Sequence, residues 1–380
     1  MARPQLHSDD KKTVRTASRR QVEATLIHSV RRHIKSDQWL DNTNRYRENA
    51  IQQIEKDHRK NKLQTADLKD YIAASCPLHL LDGWSFLGRA FDCLMRGDAD
   101  SARHLAYYAE LRAAMSLLAS EGVGVFSKRH FVVDDSGKCL PITQSGPTHE
   151  FVWACLKHWS TLDQAANLLD EVVQPRGVPF GDWLGAANLG STRRVLAQHW
   201  LREWGLDLRR FASDREARNE ASYRPTRLRE REALAPIDTV AFTEGCWRAF
   251  EPQAGGRFGN LDLHLLRIGL SHAHRGRGGG GTDLGTRMRW AVEAHGEPPA
   301  CRDSLHRFLT RATEPDDALL LQEAAKTDSV DHERRHLQVI SRATLLLVVA
   351  TGSARLLLHA GGIDASELSF WWQRLGEERG

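Results

Sequence analysis

Asp82 to Gly122 reads DGWSFLGRAFDCLMRGDADSARHLAYYAELRAAMSLLASEG, and this block decides the fold class. Leu105, Tyr108, Leu111, Met115 and Leu118 recur at steps of three and four, which aligns them on one face of a 3.6-residue helix. Gly97 and Gly122 follow the two helical stretches, where a residue without Cβ can turn left-handed and end a helix. Upstream, Thr65-Ala-Asp-Leu-Lys has the form of a capped helix start. Farther upstream, Val22, Leu26, Ile27, Val30 and Ile34 fall at helical spacing, and two helices are expected over about 14–35 and 42–62. Residues 14–63 are rich in charge and poor in aromatics, as in an arm of surface helices or an oligomerisation hairpin.

Downstream, VGVFSKRHFVVDDSGKCLPI (123–142) places β-branched and aromatic runs around Asp134-Asp135-Ser136-Gly137, a turn tetrad that predicts one small β-hairpin. Helical periods then return at HEFVWACLKHW, TLDQAANLLDEVV, STRRVLAQHWLREWG and GNLDLHLLRIGLSHAH. The last third predicts helices over about 283–295, 301–325, 329–359 and 364–378. Phe370, Trp371 and Trp372 crowd the final one and call for docking against the body. The fold expected is mainly α, one or more multi-helix bundles with a hairpin near 123–142. Its parts are a helical arm (1–64), a helical domain with the hairpin (65–212), a charged linker (213–237) and a C-terminal helical domain (238–380).

Composition agrees with a packed core: hydrophobic residues make up 41% of the 380 residues, charged residues 27%, and there are 11 tryptophans. The basic start lacks the apolar core of a secretory signal, so export is not expected. The apolar run Ala343 to Ala354, between Arg342 and Arg355, is shorter than a bilayer span and reads as a buried helix. A cytoplasmic protein without a membrane partner is therefore expected. Six scattered cysteines with no CxxC pair indicate neither a disulfide framework nor a zinc ribbon, and no cofactor is implied.

Four groups of residues carry candidate chemistry. His332-Glu333-Arg334-Arg335-His336 is an H-E-x-x-H on a predicted helix, with two histidines on one face and a glutamate able to activate water. It lacks a third ligand, and two arginines oppose a divalent cation, so no metal site is assigned. Arg218, Asn219, Tyr223, Arg224 and Arg227 lie in an arginine-rich segment suited to phosphate and base contacts, although interleaved glutamates also fit a surface laced with ion pairs. His274, Arg275, Arg277, Arg287 and Arg289 flank a glycine-rich loop. Between Leu263 and Trp290 five arginines face one acid, Asp283, an excess equal to the net charge of +4 of the whole chain. This is the basic patch where an anion or nucleic acid would bind. Tyr107, Tyr108, Glu110 and Arg112 are polar residues on a core helix, more often partners of buried neighbours than a site.

DGWSFLGRAF, HLAYYAELRAAMSLLASEGVGVF and RNEASYRP resemble uncharacterised bacterial helical proteins of the YaaC-like, HEPN-related kind, often encoded in defence or mobile gene islands. The resemblance touches about 100 to 140 of the first 230 residues. Arg218-Asn219 corresponds to the Arg-Asn pair common in HEPN sites, with no histidine within the next six residues. Arg267 and His272 have the R-x4-H spacing with which HEPN ribonucleases attack an RNA phosphodiester, a spacing repeated at Arg194 and His199. The resemblance implies a non-catalytic helical component of a bacterial multiprotein system, in antiphage defence, that binds a protein partner from the same operon and RNA or DNA. A homo-oligomer through the N-terminal helices is a further expectation. The alternatives are a HEPN-like ribonuclease effector or toxin using Arg267 and His272, and a zinc-dependent hydrolase using HERRH.

Overall fold

The computed structural model describes residues 5–33, 36, 38–143, 146–190, 235–251, 258–276, 282–295, 298–311, 319–326 and 335–368. The architecture is mainly α, with one small antiparallel sheet. Helices α1 (Ser8–Arg15), α2 (Arg19–His33) and α3 (Ala50–Arg59) lead into α4 (Thr65–Met95) and α5 (Ala99–Ser120). Strands β1 (Val123–Phe126), β2 (Arg129–Val133) and β3 (Cys139–Ile142) follow, then α6 (Thr148–Trp159), α7 (Asp163–Val172) and α8 (Phe180–Ala186). After them come α9 (Pro236–Phe250), α10 (Gly259–Gly276), α11 (Leu284–Ala294), α12 (Pro299–Leu309), α13 (Leu319–Ala325) and α14 (Arg335–Ala360).

Gly97 and Gly122 stand at φ +77° and +94°, two residues past the ends of α4 and α5, where a residue without Cβ turns left-handed at little cost. The hairpin is in fact three strands in the order β1-β2-β3. The sequence hid the extra strand because Ser127 and Lys128 turn the chain without glycine or asparagine, Ser127 taking φ 42°. The Asp134 turn joins β2 to β3: the Asp134 carboxylate accepts from the Ser136 and Lys138 amides at 2.9 Å, and Gly137 takes φ +76°. The helix expected over 301–325 is two helices. The first stops at Leu309, where the Thr310 hydroxyl turns back to the His306 carbonyl at 2.9 Å. The helix expected over 364–378 begins as a short 3-10 turn, Ala365–Leu368, and Phe370, Trp371 and Trp372 lie outside the described residues.

Two compact units form, and they run differently from consecutive domains with boundaries at 64, 212 and 237. The first comprises 1–84, 111–159 and 350–380, the second 85–110 and 160–349, because α4, α5 and α14 each supply turns to both. In the first unit the N-terminal region is part of the packed body. Val14, Val22, Leu26 and Val30 are buried, and Tyr46, Ile54, Leu68, Ile72, Phe126 and Phe131 share one core with the sheet. Buried Asp57 accepts from the Arg45 guanidinium (Nη2, 2.8 Å), Gln53 and the Tyr46 hydroxyl, and these bonds, Arg45's first, hold its carboxyl down at about 2.

The second unit holds helices and no strand among its described residues, and α10 packs on α9, α8, α12 and the 3-10 turn Pro175–Gly177. Gly269 allows that packing: a Cβ there would lie 2.5 Å from Phe180 Cζ. The apolar run 343–354 belongs to a 26-residue helix, longer than the run alone suggests. His336–Ala360 is long and apolar enough to cross a bilayer, yet most of it is buried inside the protein, and it carries buried Arg342.

Candidate functional site

Helix α10 has two faces. Leu261, Leu265, Leu266, Leu270 and Ala273 are buried, and Gly269 is pressed on Phe180. On the opposite side Arg267, Ser271, His274 and Arg275 follow at steps of four, three and one, a single stripe on a 3.6-residue helix. The stripe lines a pocket of about 420 Å³, closed by Thr310 and Arg311 after α12 and by Leu321, Gln322 and Ala325 of α13. Ile268 and Leu284 add apolar surface. None of the described residues lining it is acidic. The buried acid of α13, Glu323, is paired with Lys326 at 2.6 Å.

Arg267 anchors the site. It is 4% exposed, and its Nη1 donates at 3.1 Å to the carbonyl of Arg311, just past the C-cap of α12. Burial, followed by the neighbouring Arg311 cation, lowers its pKa, but an arginine keeps its charge through such a shift. Arg311 itself is exposed, with its guanidinium 5.4 Å from the centroid of the Phe308 ring. Three guanidiniums and an imidazole therefore meet at one concavity with no carboxylate among its described lining residues. Arg267 brings a buried charge to the pocket wall and Arg275 and Arg311 bring exposed ones, and an entering anion is attracted to all three.

Of the residues singled out in the sequence, Arg267, His274 and Arg275 come together here. His272 does not: five residues rotate it about 140° around the helix from Arg267, and it is half-buried outside the lining. Arg287 is not an exposed loop charge. It is 6% exposed, and its Nη1 donates to the carbonyls of Ala187 (3.1 Å) and Asn188 (3.2 Å), which caps the end of α8. Arg289 is exposed on α11, away from the pocket lining. Arg218, Asn219, Tyr223, Arg224, Arg227, Arg277, Arg194 and His199 lie outside the described residues, as do His332 to Arg334 of HERRH. His336 is buried on α14, and among the described residues no three His, Cys, Asp or Glu side chains group to hold a metal.

Other polar clusters are internally engaged. In the first unit Arg19 Nη1 bonds Glu121 (3.0 Å) and Ser353 (2.7 Å), and Trp159 Nε1 reaches Glu121 at 3.3 Å. Arg112 bonds His79 Nδ1 at 3.0 Å and pairs with Asp82 at 3.4 Å. Burial and that arginine push His79 down to about 3, which keeps it a neutral acceptor. Glu110, in the second unit, forms a buried ion pair with Arg342 at 3.7 Å. The polar residues of α5 thus serve neighbouring helices.

Sequence reading missed Arg311, Ser271, Thr310 and Gln322. Ser271 could have been found from the Arg267–His274 stripe. Arg311 could not, because the sequence alone places it inside one long helix over 301–325. No family model matches this chain, and neither a curated protein nor a solved structure matches it.

Proposed function

We propose that the chain is a non-catalytic helical component of a bacterial multiprotein system, in antiphage defence, that binds nucleic-acid phosphate through the α10–α12–α13 pocket and a protein partner from the same operon. One observation carries the binding reading: Arg267, Arg275, Arg311 and His274 line one pocket with no acid among its described lining residues. Arginine forks match phosphate oxygens, and phosphate contacts position a strand without reading its sequence. The system and its partner rest on the resemblance of about 100 to 140 of the first 230 residues. The test is binding of single-stranded RNA and DNA to the intact chain and to an Arg275→Ala/Arg311→Ala variant. Both arginines are exposed, so the fold should survive their loss. Affinity should fall about tenfold or more, and unchanged affinity would remove the pocket from the binding surface.

A HEPN-like ribonuclease is the second reading, favoured by His274. It stands seven residues after Arg267, almost two full turns, and lines the same pocket, which His272 does not. Cleavage by the wild type that His274→Ala abolishes and His272→Ala spares would establish this reading over the first.

A further inference from the structure

The polar stripe of α10 does not stop at Arg267. Asn260 and His264 extend it by further steps of four and three, and they line a second pocket of about 520 Å³. Leu321 lines both pockets, and Arg311, in the first, stands over Phe308, in the second. The two concavities therefore share a wall along one helix face, which rises about 22 Å from Asn260 to Arg275.

Their chemistry differs. The first holds three arginines and a histidine; the second balances Arg248 against Glu251 and offers the His264 and Phe308 rings, 5.1 Å apart at 72°. A uniform polyanion would meet Glu251 unfavourably. A nucleic-acid strand alternates charged phosphates with neutral, flat bases, and a base gains from aromatic and guanidinium surfaces.

Resting on the phosphate reading above, we propose that α10 carries a groove for a single nucleic-acid strand, with backbone phosphate at Arg267, Arg275 and Arg311 and a base at His264 and Phe308. At 3.4 Å per nucleotide of a stacked strand, the face accommodates up to about six nucleotides. A duplex keeps its bases stacked inside and cannot offer one to the second pocket. Polyglutamate supplies carboxylates but no flat neutral ring.

The test measures binding of a dinucleotide, a single-stranded octanucleotide, the corresponding duplex and polyglutamate to the full chain, alongside His264→Ala and Phe308→Leu variants. The octanucleotide should bind at least about tenfold more tightly than the dinucleotide. Either variant should remove most of that gain, and an unchanged helical circular-dichroism spectrum certifies that the variant is folded. If one variant fails to fold, the other gives the same readout. Equal affinity for both lengths, with His264→Ala and Phe308→Leu indifferent, would overturn the groove and leave the phosphate pocket standing. A duplex that binds more tightly than the single strand would also overturn the groove. Binding of polyglutamate with no binding of either nucleic acid would overturn both.

Discussion

Arg267 donates a hydrogen bond to the backbone carbonyl of Arg311 at 3.1 Å, which ties α10 to the end of α12 where both arginines line one pocket. The buried member holds the wall and the exposed member offers its charge. Arg267→Ala should lower stability by about 2 kcal/mol, as expected for a buried charged donor, whereas Arg311→Ala keeps the carbonyl and should cost under about 0.5 kcal/mol. Urea denaturation of the two variants separates these roles. Equal losses would mean that the carbonyl bond contributes nothing beyond an ordinary surface arginine.

Arg287 belongs to the same stretch of sequence and has a different task. Its guanidinium caps the carbonyls of Ala187 and Asn188, so Arg287→Ala should destabilise the protein by about 2 kcal/mol without changing the affinity of the folded fraction for nucleic acid. Thermal denaturation and binding measured on one preparation decide this. A stable variant with weakened binding would return Arg287 to the anion surface.

Gly269→Ala raises helix propensity by about 1 kcal/mol, but it sets a methyl 2.5 Å from Phe180 Cζ, and Phe180 is fully buried. Overpacking of this kind costs about 1–3 kcal/mol, so the variant should be neutral to less stable, and Phe180→Leu should restore it. A clear gain in stability from Gly269→Ala alone would show that α10 stands farther from Phe180 than its packing requires.

These features were unequally legible. Helix periods and the two left-handed glycines could be read because 3.6-residue spacing and a missing Cβ act locally, and the stripe Arg267–His274–Arg275 lies within one helix. Arg287 read as a loop charge because its acceptors, Ala187 and Asn188, are about a hundred residues away in the chain. Arg311 was hidden for the same reason: its place beside Arg267 exists only once α10 and α12 pack. The third strand escaped because Ser127-Lys128 carries none of the usual turn residues. The interleaved units were beyond local reading, since they depend on long helices shared by distant segments.

Asp57 makes a pH prediction for the first unit. Its folded pKa, about 2, lies below the ordinary 3.8, so its contribution is complete above the unfolded value and is lost as pH falls through 3.8 towards 2. Asp57→Asn should cost about 2 kcal/mol at neutral pH, and the gap from wild type should close as pH drops through that window. Urea midpoints across the acid range measure it, and a gap that persists at pH 2 would contradict the Arg45 bonds as its source.

The most direct test of the phosphate pocket is the salt dependence of single-stranded RNA and DNA binding, measured for the wild type and for Arg275→Ala/Arg311→Ala. Each phosphate neutralised on a single strand contributes about −0.7 to the slope of log affinity against log salt. Three arginine contacts predict a slope near about −2, and the double variant should be shallower by about 1.4 as well as weaker. Identical slopes and affinities for the two proteins would contradict a phosphate site at Arg267, Arg275 and Arg311.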